Sequence, residues 1–306
     1  MREVICNLND VAATLIVGEP LQFGNLLLFP LRSRQHAIND LVPLPVAVQR
    51  GDAAISELNG NADVGFLRLG NRSARPLLAP MGLIIAALAQ HRMLARTMIV
   101  MPRRAIKIPV FCVEADRWAT NSAQEGAPSC FAAMFVRRAG TSGVKNGNQD
   151  DLQHRVWRSI DGVMSRTRAA SRTCSLHEVT AKIMETRIID MPNILLPPET
   201  MGVAVIENDR LLGGDIFGSP DLFAALSPGI IQGLTVDASV SRPTQKSSSS
   251  AEMQYVLRNL LMASKLDRHP MPKGCGHGFN FASDHLAGSA IFNDHNFIHC
   301  SFFRAA

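Results

Sequence analysis

The chain has 306 residues, of which 46% are hydrophobic and 19% are charged. This balance is typical of a globular protein that buries a sizeable core, in two domains or in one large domain. The aromatic content of 6%, with a single tyrosine, argues against the base-stacking platforms of single-strand binders. The net charge of +5 comes from basic residues spread along the chain, so nucleic acid is not the expected partner.

Cysteine usage and apolar runs indicate where the protein works. The six cysteines are scattered and none forms a C-x-x-C pair, which favours reduced thiols over a disulfide framework. The first residues lack the apolar core of a signal peptide. The longest apolar run, residues 77–89, is too short to span a bilayer. We therefore expect a soluble, cytoplasmic protein with no membrane partner.

The first third of the chain is predicted to be β structure. Short runs of β-forming residues at 26–29, 64–69, 98–101 and 106–113 are separated by turn signals such as those at 70–73. Several short strands at this spacing are typical of a sandwich or a barrel-like sheet. The sequence thus predicts a mainly β part over residues 1–138.

Residues 139–151 contain almost nothing apolar, which indicates a loop or linker. The pattern then changes, because Val156, Ile160 and Val163 recur at helical spacing. We therefore assign residues 152–306 to an α+β part packed on the first, and the fold class to α+β. Whether the two parts are separate domains or one compact domain stays open.

Local signals place further elements in the second part. Ser175 and Glu178 have the spacing of a capping box at a helix start. Ser219–Pro220 suits another helix start, and Ser227–Pro228 repeats this pair. The remaining predictions are a hairpin over residues 203–217, a helix over 251–264 and a final hairpin of 288–293 against 296–303.

The predicted strand 106–113 leads into Glu114, Asp116, Arg117 and Trp118. A strand that delivers such groups at its end is a common way to build a binding site. The carboxylates could bind hydroxyl groups of a ligand or act in general acid–base catalysis. Arg117 could bind an anion, and Trp118 could stack on a planar ring. The alternative is a structural Arg–carboxylate pair with the tryptophan packed over it, and the sequence does not decide between them.

Three further residues are candidates for the same site. Gln90 and Arg92 follow the long apolar run, and Arg92 is either a phosphate or carboxylate ligand or an ordinary surface arginine. Asp215 lies in a β segment shortly before a predicted helix start, where a carboxylate orients a ligand. We expect Gln90, Arg92, Glu114, Arg117 and Asp215 to line one concavity.

The last part of the chain is rich in metal-ligand residue types. Their spacing matches no standard zinc module, so a metal site stays unassigned. A structural His299, bonded to backbone in the terminal hairpin, competes with a functional one. These residues are Cys275, His277, Asp284, His285, Asp294, His295, His299 and Cys300.

Three ordered blocks resemble a bacterial domain family named for its association with ADP-ribosylglycohydrolases and rhodanese-phosphatases. They are residues 90–92 with 108–118, residues 202–223, and residues 288–303, so the resemblance covers roughly residues 20–303. The family name implies a connection to NAD and ADP-ribosyl metabolism. Residues 80–82 stand where the family pattern has an acidic Gly-Glu pair. Ala89 stands where the pattern has a lysine, and His91 stands where it has an asparagine. These departures put a shared mechanism in doubt.

The leading hypothesis is a protein that binds or processes an anionic, nucleotide-like small molecule. Whether the protein is an enzyme stays open. No organic cofactor is signalled. The alternatives are a non-catalytic ligand-binding or scaffold protein and a metal-dependent enzyme using the C-terminal histidines and cysteines. The sequence leaves a homo-oligomer open. We assign Glu114, Asp215 and His299 to catalysis. The residues that we assign to ligand binding are Gln90, Arg92, Asp116, Arg117 and Trp118.

Overall fold

The computed structural model describes residues 8–34, 40–58, 63–117, 125–141, 149–187, 194–242, 248–269, 271, 275–293 and 296–305. The chain divides into two compact units that are not contiguous in sequence. Unit 1 comprises Met1–Asn39, Asp190–Ala225 and Ser241–Ala306. Unit 2 comprises Asp40–Ile189 and Leu226–Val240. The predicted linker at 139–151 therefore falls inside unit 2.

Strands dominate the first 131 residues and the longer helices follow, so the predicted α+β class is confirmed. The helices are α1 (Leu8–Thr14), α2 (Leu44–Gln49), α3 (Met134–Thr141), α4 (Gln149–Thr167), α5 (Leu176–Arg187), α6 (Pro220–Val240) and α7 (Ser250–Ala263). The first strands are β1 (Leu15–Val17), β2 (Leu21–Phe23), β3 (Leu26–Ser33), β4 (Val42–Pro43), β5 (Ala53–Ser56), β6 (Phe66–Asn71), β7 (Leu77–Ala79), β8 (Leu83–Ala86) and β9 (Arg92–Leu94). The others are β10 (Met98–Val100), β11 (Ala105–Cys112), β12 (Ala127–Phe131), β13 (Gly202–Glu207), β14 (Arg210–Phe217), β15 (Lys265–His269), β16 (His277–Ala282), β17 (Leu286–Asn293) and β18 (Asn296–Arg304).

Unit 1 is built on a nine-stranded antiparallel sheet in the order β1-β3-β13-β14-β18-β17-β16-β15, with β2 also paired to β3. Strands from the two halves of the chain meet where β3 pairs with β13. Helices α1 and α7 cover one face, where Leu257 and Leu261 pack with Phe29 and Phe302. The core of unit 1 thus joins residues far apart in sequence.

A glutamine closes the outer edge of this sheet at β1. Gln254 of α7 accepts a hydrogen bond from the Val17 amide at 2.8 Å and donates one to the Leu15 carbonyl at 2.7 Å. The side-chain amide thereby satisfies backbone groups that an edge strand otherwise leaves open.

The predicted hairpin over residues 203–217 is confirmed as β13 and β14. Its turn residues Asn208 and Asp209 have φ values of 48° and 60°, which asparagine and aspartate tolerate best after glycine. Gly214 lies so close to β13 that an added Cβ would stand 2.4 Å from the Val203 carbonyl oxygen. A register shift occurs beside Gly213, and glycine inside a strand often marks such a bulge.

Unit 2 contains a six-stranded sheet, β12-β8-β9-β11-β6-β5, and a three-stranded sheet, β10-β7-β4. Strand β11 changes partner along its length: Ala105–Pro109 pair with β6, and Val110–Cys112 pair with β9. Helix α4 packs its apolar face on this sheet, as the spacing of Val156, Ile160 and Val163 predicts.

Helix boundaries correct three details of the sequence analysis. The described ends of the predicted loop 139–151 belong to α3 and α4, and residues 142–148 lie outside the described residues. Ser227–Pro228 does not begin a new helix, because Pro228 lies inside the continuous helix α6. The capping box at Ser175 is half formed: its hydroxyl accepts from the Glu178 amide at 3.3 Å, whereas the Glu178 carboxylate accepts from the Ser171 hydroxyl at 2.8 Å.

The described cysteines, Cys112, Cys130, Cys174, Cys275 and Cys300, are all free thiols. Among the helices the structure describes, none is long and apolar enough to cross a membrane.

The terminal strand β18 generates a prediction. It lies between β14 and β17, and its side chains Phe297, Phe302 and Phe303 are at most 2% exposed. Because burying each such side chain is worth about 1.5–3 kcal/mol, a chain truncated after Asp294 should give no soluble, cooperatively melting protein. Soluble yield and a thermal melt measure this. A chain ending at Ala305 is the control and should behave as the full-length protein does.

Candidate functional site

The register of β9 and β11 brings two predicted motifs together in unit 2. Cys112 lies directly opposite Arg92, and the Val113 amide donates to the His91 carbonyl at 3.0 Å. Antiparallel pairing therefore continues one step past both strand ends. The residues before Arg92 and those after Cys112 consequently share one end of the sheet.

Glu114 is the centre of this arrangement, and its side chain is 1% exposed. Its Oε2 accepts a hydrogen bond from the His91 backbone amide at 3.0 Å and lies 2.8 Å from Nη2 of Arg117. Its Oε1 accepts a hydrogen bond from the Thr173 hydroxyl at 2.6 Å. One carboxylate thus ties together the β8–β9 loop, the segment after β11 and the segment before α5.

The surroundings of Glu114 keep it ionised. Burial on its own raises the pKa of this carboxyl, but the bonds from Arg117, Thr173 and the His91 amide outweigh burial and leave the pKa below its ordinary value. Glu114 therefore carries a negative charge at neutral pH and holds its neighbours in place.

His91 is part of the site, although its sequence context did not mark it as functional. Its Nδ1 lies 2.9 Å from the Ser175 hydroxyl oxygen and 3.6 Å from Oε2 of Glu114. The ring of His177 on α5 stands edge-on at 4.8 Å. Burial, opposed by the charge of Glu114, lowers the pKa of His91 to about 4. The only available signal was that His91 occupies the position of the family's asparagine.

We call these residues the histidine cluster, since two imidazoles face one ionised carboxylate within it. Burial also lowers the pKa of His177, against the charges of Glu178 and Glu114. Both rings are consequently poor proton carriers in their present surroundings. The cluster consists of His91, Glu114, Arg117, Thr173, Ser175 and His177.

Gln90 and Arg92 lie beside the cluster in the interior. Arg92 is 0% exposed and its Nη1 donates to Oε1 of Gln90 at 2.9 Å. The surface-arginine alternative is therefore wrong. A role for Arg92 toward a ligand stays a prediction.

The end of β11 is fixed by a second glutamine. Gln153 of α4 accepts a hydrogen bond from the Cys112 amide at 2.8 Å and donates one to the Cys112 carbonyl at 2.9 Å. Burial raises the pKa of the Cys112 thiol, which is typical of a cysteine that packs as an inert small hydrophobe.

The loop before His91 has an uncommon backbone. Ala87 and Leu88 have φ values of 67° and 63°, two consecutive non-glycine residues in the left-handed region. Each such residue costs on the order of 1–2 kcal/mol. The next amide, that of Ala89, donates to Oε1 of Glu57 at 3.1 Å, which helps to hold the loop. Strain of this kind is common at functional sites.

A cleft of about 530 Å³ is lined by the segment after Glu114, the segment after Thr173 and helix α4. Some of its lining residues are therefore direct sequence neighbours of residues in the histidine cluster. Its volume is within the range of small-molecule sites. The amides of Ala115 and Asp116 both donate to the Thr173 carbonyl, at 3.1 and 3.2 Å, and so fix one wall. The lining residues are Ala115, Asp116, His154, Trp157, Arg158, Ile160, Asp161 and Cys174.

Asp215 and His299 form a separate polar group within unit 1. Oδ1 of Asp215 lies 3.2 Å from Nε2 of His299 and accepts a hydrogen bond from the Ser301 hydroxyl at 2.6 Å. The Phe217 ring stacks on His299 with 4.3 Å between centroids. Asp215 and Ser301 are 0% exposed and His299 is 1% exposed. The sequence analysis identified Asp215 and His299 but missed Ser301, which pairs with Asp215 across β14 and β18.

The predicted site residues are thus distributed over both units. Glu114, Arg117, Gln90 and Arg92 belong to unit 2, and Asp215 belongs to unit 1. That all five line one concavity stays a prediction. Asp116 lines the cleft, and Trp118 lies outside the described residues.

The metal hypothesis gains no support from the part of the chain that the structure describes. Within it, no three histidine, cysteine, aspartate or glutamate residues are grouped to hold an ion. Adjacent strand residues such as His299 and Cys300 project to opposite faces, which explains why closeness in sequence does not make them joint ligands. Asp294 and His295 lie outside the described residues.

Comparison with known families agrees with the three sequence blocks. Residues 14–303 match the model of the ARG and Rhodanese-Phosphatase-superfamily-associated Protein domain, and the chain belongs to this family. Among curated proteins no significant match exists, and the same holds for solved structures.

The first site prediction concerns Glu114. Because its folded pKa is lowered, its stabilising effect is present above its ordinary value of 4.5 and is lost as pH falls through the folded pKa. Glu114→Gln should lower the free energy of unfolding by about 2 kcal/mol at pH 7, which is less than the roughly 3–5 kcal/mol for a fully buried pair because Arg117 is partly exposed. Urea unfolding at pH 7 and pH 3.5 measures this.

The difference in unfolding free energy between the wild type and Glu114→Gln should be smaller at pH 3.5 than at pH 7. Glu185→Gln, at an exposed position of α5, is the control and should change stability by less than about 0.5 kcal/mol. Equal stability of Glu114→Gln and the wild type at pH 7 would show that the three bonds to Glu114 do not hold the site.

Proposed function

We propose that this member of the ARG and Rhodanese-Phosphatase-superfamily-associated Protein family binds an anionic, nucleotide-like small molecule in the cleft of unit 2. The observation that carries the proposal is the lining, which combines one guanidinium, two carboxylates and an indole in about 530 Å³. A nucleotide offers a partner to each of these groups, since it carries phosphates, hydroxyl groups and a planar ring.

Helix α4 supplies most of these groups. His154, Trp157, Arg158 and Asp161 recur at spacings of three and four residues, so they share one helix face. Arg158 is suited to a phosphate or carboxylate, and Trp157, which stands edge-on to His154 at 5.5 Å, to a planar ring. Asp161, with Asp116 across the cleft, is suited to sugar hydroxyls.

The finer proposal is that the ligand belongs to NAD or ADP-ribose metabolism. Its support is the family's association with ADP-ribosylglycohydrolases, which is an argument from association and not from geometry. A hydrolytic step on such a ligand requires no organic cofactor. The free thiols support the proposal that the protein functions in a reducing compartment such as the cytoplasm.

Binding without chemistry is the second candidate, and one observation favours it. Both oxygens of Glu114 are engaged by protein donors, which leaves this carboxylate little capacity to act on a ligand. We place no catalytic step on Asp215 or His299, because their side chains are at most 1% exposed. In this proposal Glu114 is a positioning residue that fixes the wall of the cleft.

The test uses ADP-ribose as the probe. Isothermal titration calorimetry should detect binding to the full chain, and Arg158→Ala should weaken it by about tenfold or more, since charge-assisted bonds contribute roughly 1.5–3 kcal/mol. Arg210→Ala removes the same charge from an exposed position in unit 1 and should leave affinity unchanged.

Two results count against the proposal. Absence of ADP-ribose, AMP and ribose 5-phosphate binding at millimolar concentration would remove the nucleotide-like ligand. Equal loss of affinity in Arg158→Ala and Arg210→Ala would show that the overall charge, and not the cleft, attracts the ligand.

A further inference from the structure

The second nitrogen of His91 is the most informative group that the cleft proposal leaves unused. Nδ1 is engaged by Ser175 and Glu114, at 2.9 and 3.6 Å. Nε2 has no hydrogen-bond partner among the residues that the structure describes. The side chain nevertheless keeps 13% of its surface exposed, so solvent reaches the ring.

We propose that His91 is the electron-pair donor of the histidine cluster: Nε2 accepts a hydrogen bond from the hydroxyl group of water or of a ligand, while Glu114 keeps the proton on Nδ1. The proposal goes beyond ligand binding in the cleft and does not depend on it. His91 is absent from the cleft lining, so the two sites can be tested separately.

The position of Glu114 determines the tautomer. A proton on Nδ1 faces the negatively charged Oε2 at 3.6 Å, whereas a lone pair on Nδ1 would face the same charge with repulsion. The Ser175 hydroxyl accommodates either tautomer, because it both donates and accepts. Glu114 therefore selects the form in which Nε2 carries the lone pair.

The charges around His91 keep the ring neutral. Facing it are Glu114 at the end of β11, Arg117 in the segment that follows, and His177 and Glu178 on α5. Burial outweighs the two carboxylates and lowers the pKa of His91 to about 4. At pH 7 only roughly one molecule in a thousand carries the imidazolium, so the group accepts hydrogen bonds and does not attract anions.

Reactivity toward diethyl pyrocarbonate tests this, because the reagent acylates only an imidazole nitrogen that carries a lone pair. The rate at His91, followed by peptide mass spectrometry on the ligand-free full chain, should change less than twofold between pH 7 and pH 5. N-acetylhistidine, run in parallel, should slow roughly 25-fold over the same interval, since its pKa is near 6.5.

A matched pair of variants isolates the role of Glu114. Glu114→Gln removes the charge beside Nδ1, and the lone-pair form at Nε2 should decline, which slows acylation at pH 7 by at least twofold. Glu178→Gln removes the charge that contributes least at His91 and should react as the wild type does. Circular dichroism establishes that each variant is folded.

If Glu114→Gln does not fold, ¹⁵N chemical shifts of the wild-type ring decide the tautomer. A lone-pair shift at Nε2 and a protonated shift at Nδ1 support the proposal, and the reverse assignment overturns it. So does an acylation rate at His91 that falls in parallel with N-acetylhistidine.

Inorganic phosphate separates an acceptor of hydroxyl groups from an anion site. Phosphate is added at about 10 mM and pH 7, a concentration that fills most of any site whose Kd is about 1 mM. Phosphate should leave acylation of His91 unchanged. Slowing by phosphate would mean that His91 pairs with anions, and would overturn the proposal even if ADP-ribose binds in the cleft.

Discussion

The buried carboxylate of Glu114 is the interaction on which the site depends. Removing an ionised carboxylate from water costs several kcal/mol unless donors replace the lost hydration. The fold supplies these donors from three segments: the His91 amide, the Thr173 hydroxyl and the Arg117 guanidinium. Because the carboxylate is unstable without them, its burial fixes all three segments at once. The cleft wall at Ala115 and Asp116 and the orientation of His91 both follow from this constraint.

Side-chain amides perform a related task at strand ends. Gln153 bonds both backbone groups of Cys112, and Gln254 bonds those of Val17 and Leu15. In each case a helix residue replaces a missing neighbouring strand, so a buried or edge backbone group stays satisfied. At Cys112 the effect is local to the site, because the strand end that leads into Glu114 is held from the helix that also lines the cleft.

Patterns within a few residues were readable from the sequence, and contacts between distant segments were not. Alternation and turn residues predicted the hairpin of β13 and β14 and the terminal strand β18, because their partners are adjacent in the chain. The pairing of β3 with β13 joins residues 171 to 181 positions apart, and no local pattern encodes that register. His91 was missed for the same reason. The environment of His91 is set by Glu114 and Ser175. These residues contact it only because of the register of β9 with β11 and the position of the segment before α5.

The chain contains two acid–histidine pairs whose environments assign them different roles. Asp215 and His299 lie on neighbouring strands, with Ser301 and the stacked Phe217 ring around them, and the imidazole is 1% exposed. Such a pair satisfies polar groups buried within a sheet. His91 is held by Glu114 in a similar way, but its side chain keeps 13% of its surface exposed, and the residue follows the strained loop at Ala87 and Leu88. The two pairs therefore share their chemistry and differ in exposure, because the imidazole of His299 is enclosed and the side chain of His91 keeps part of its surface open to solvent.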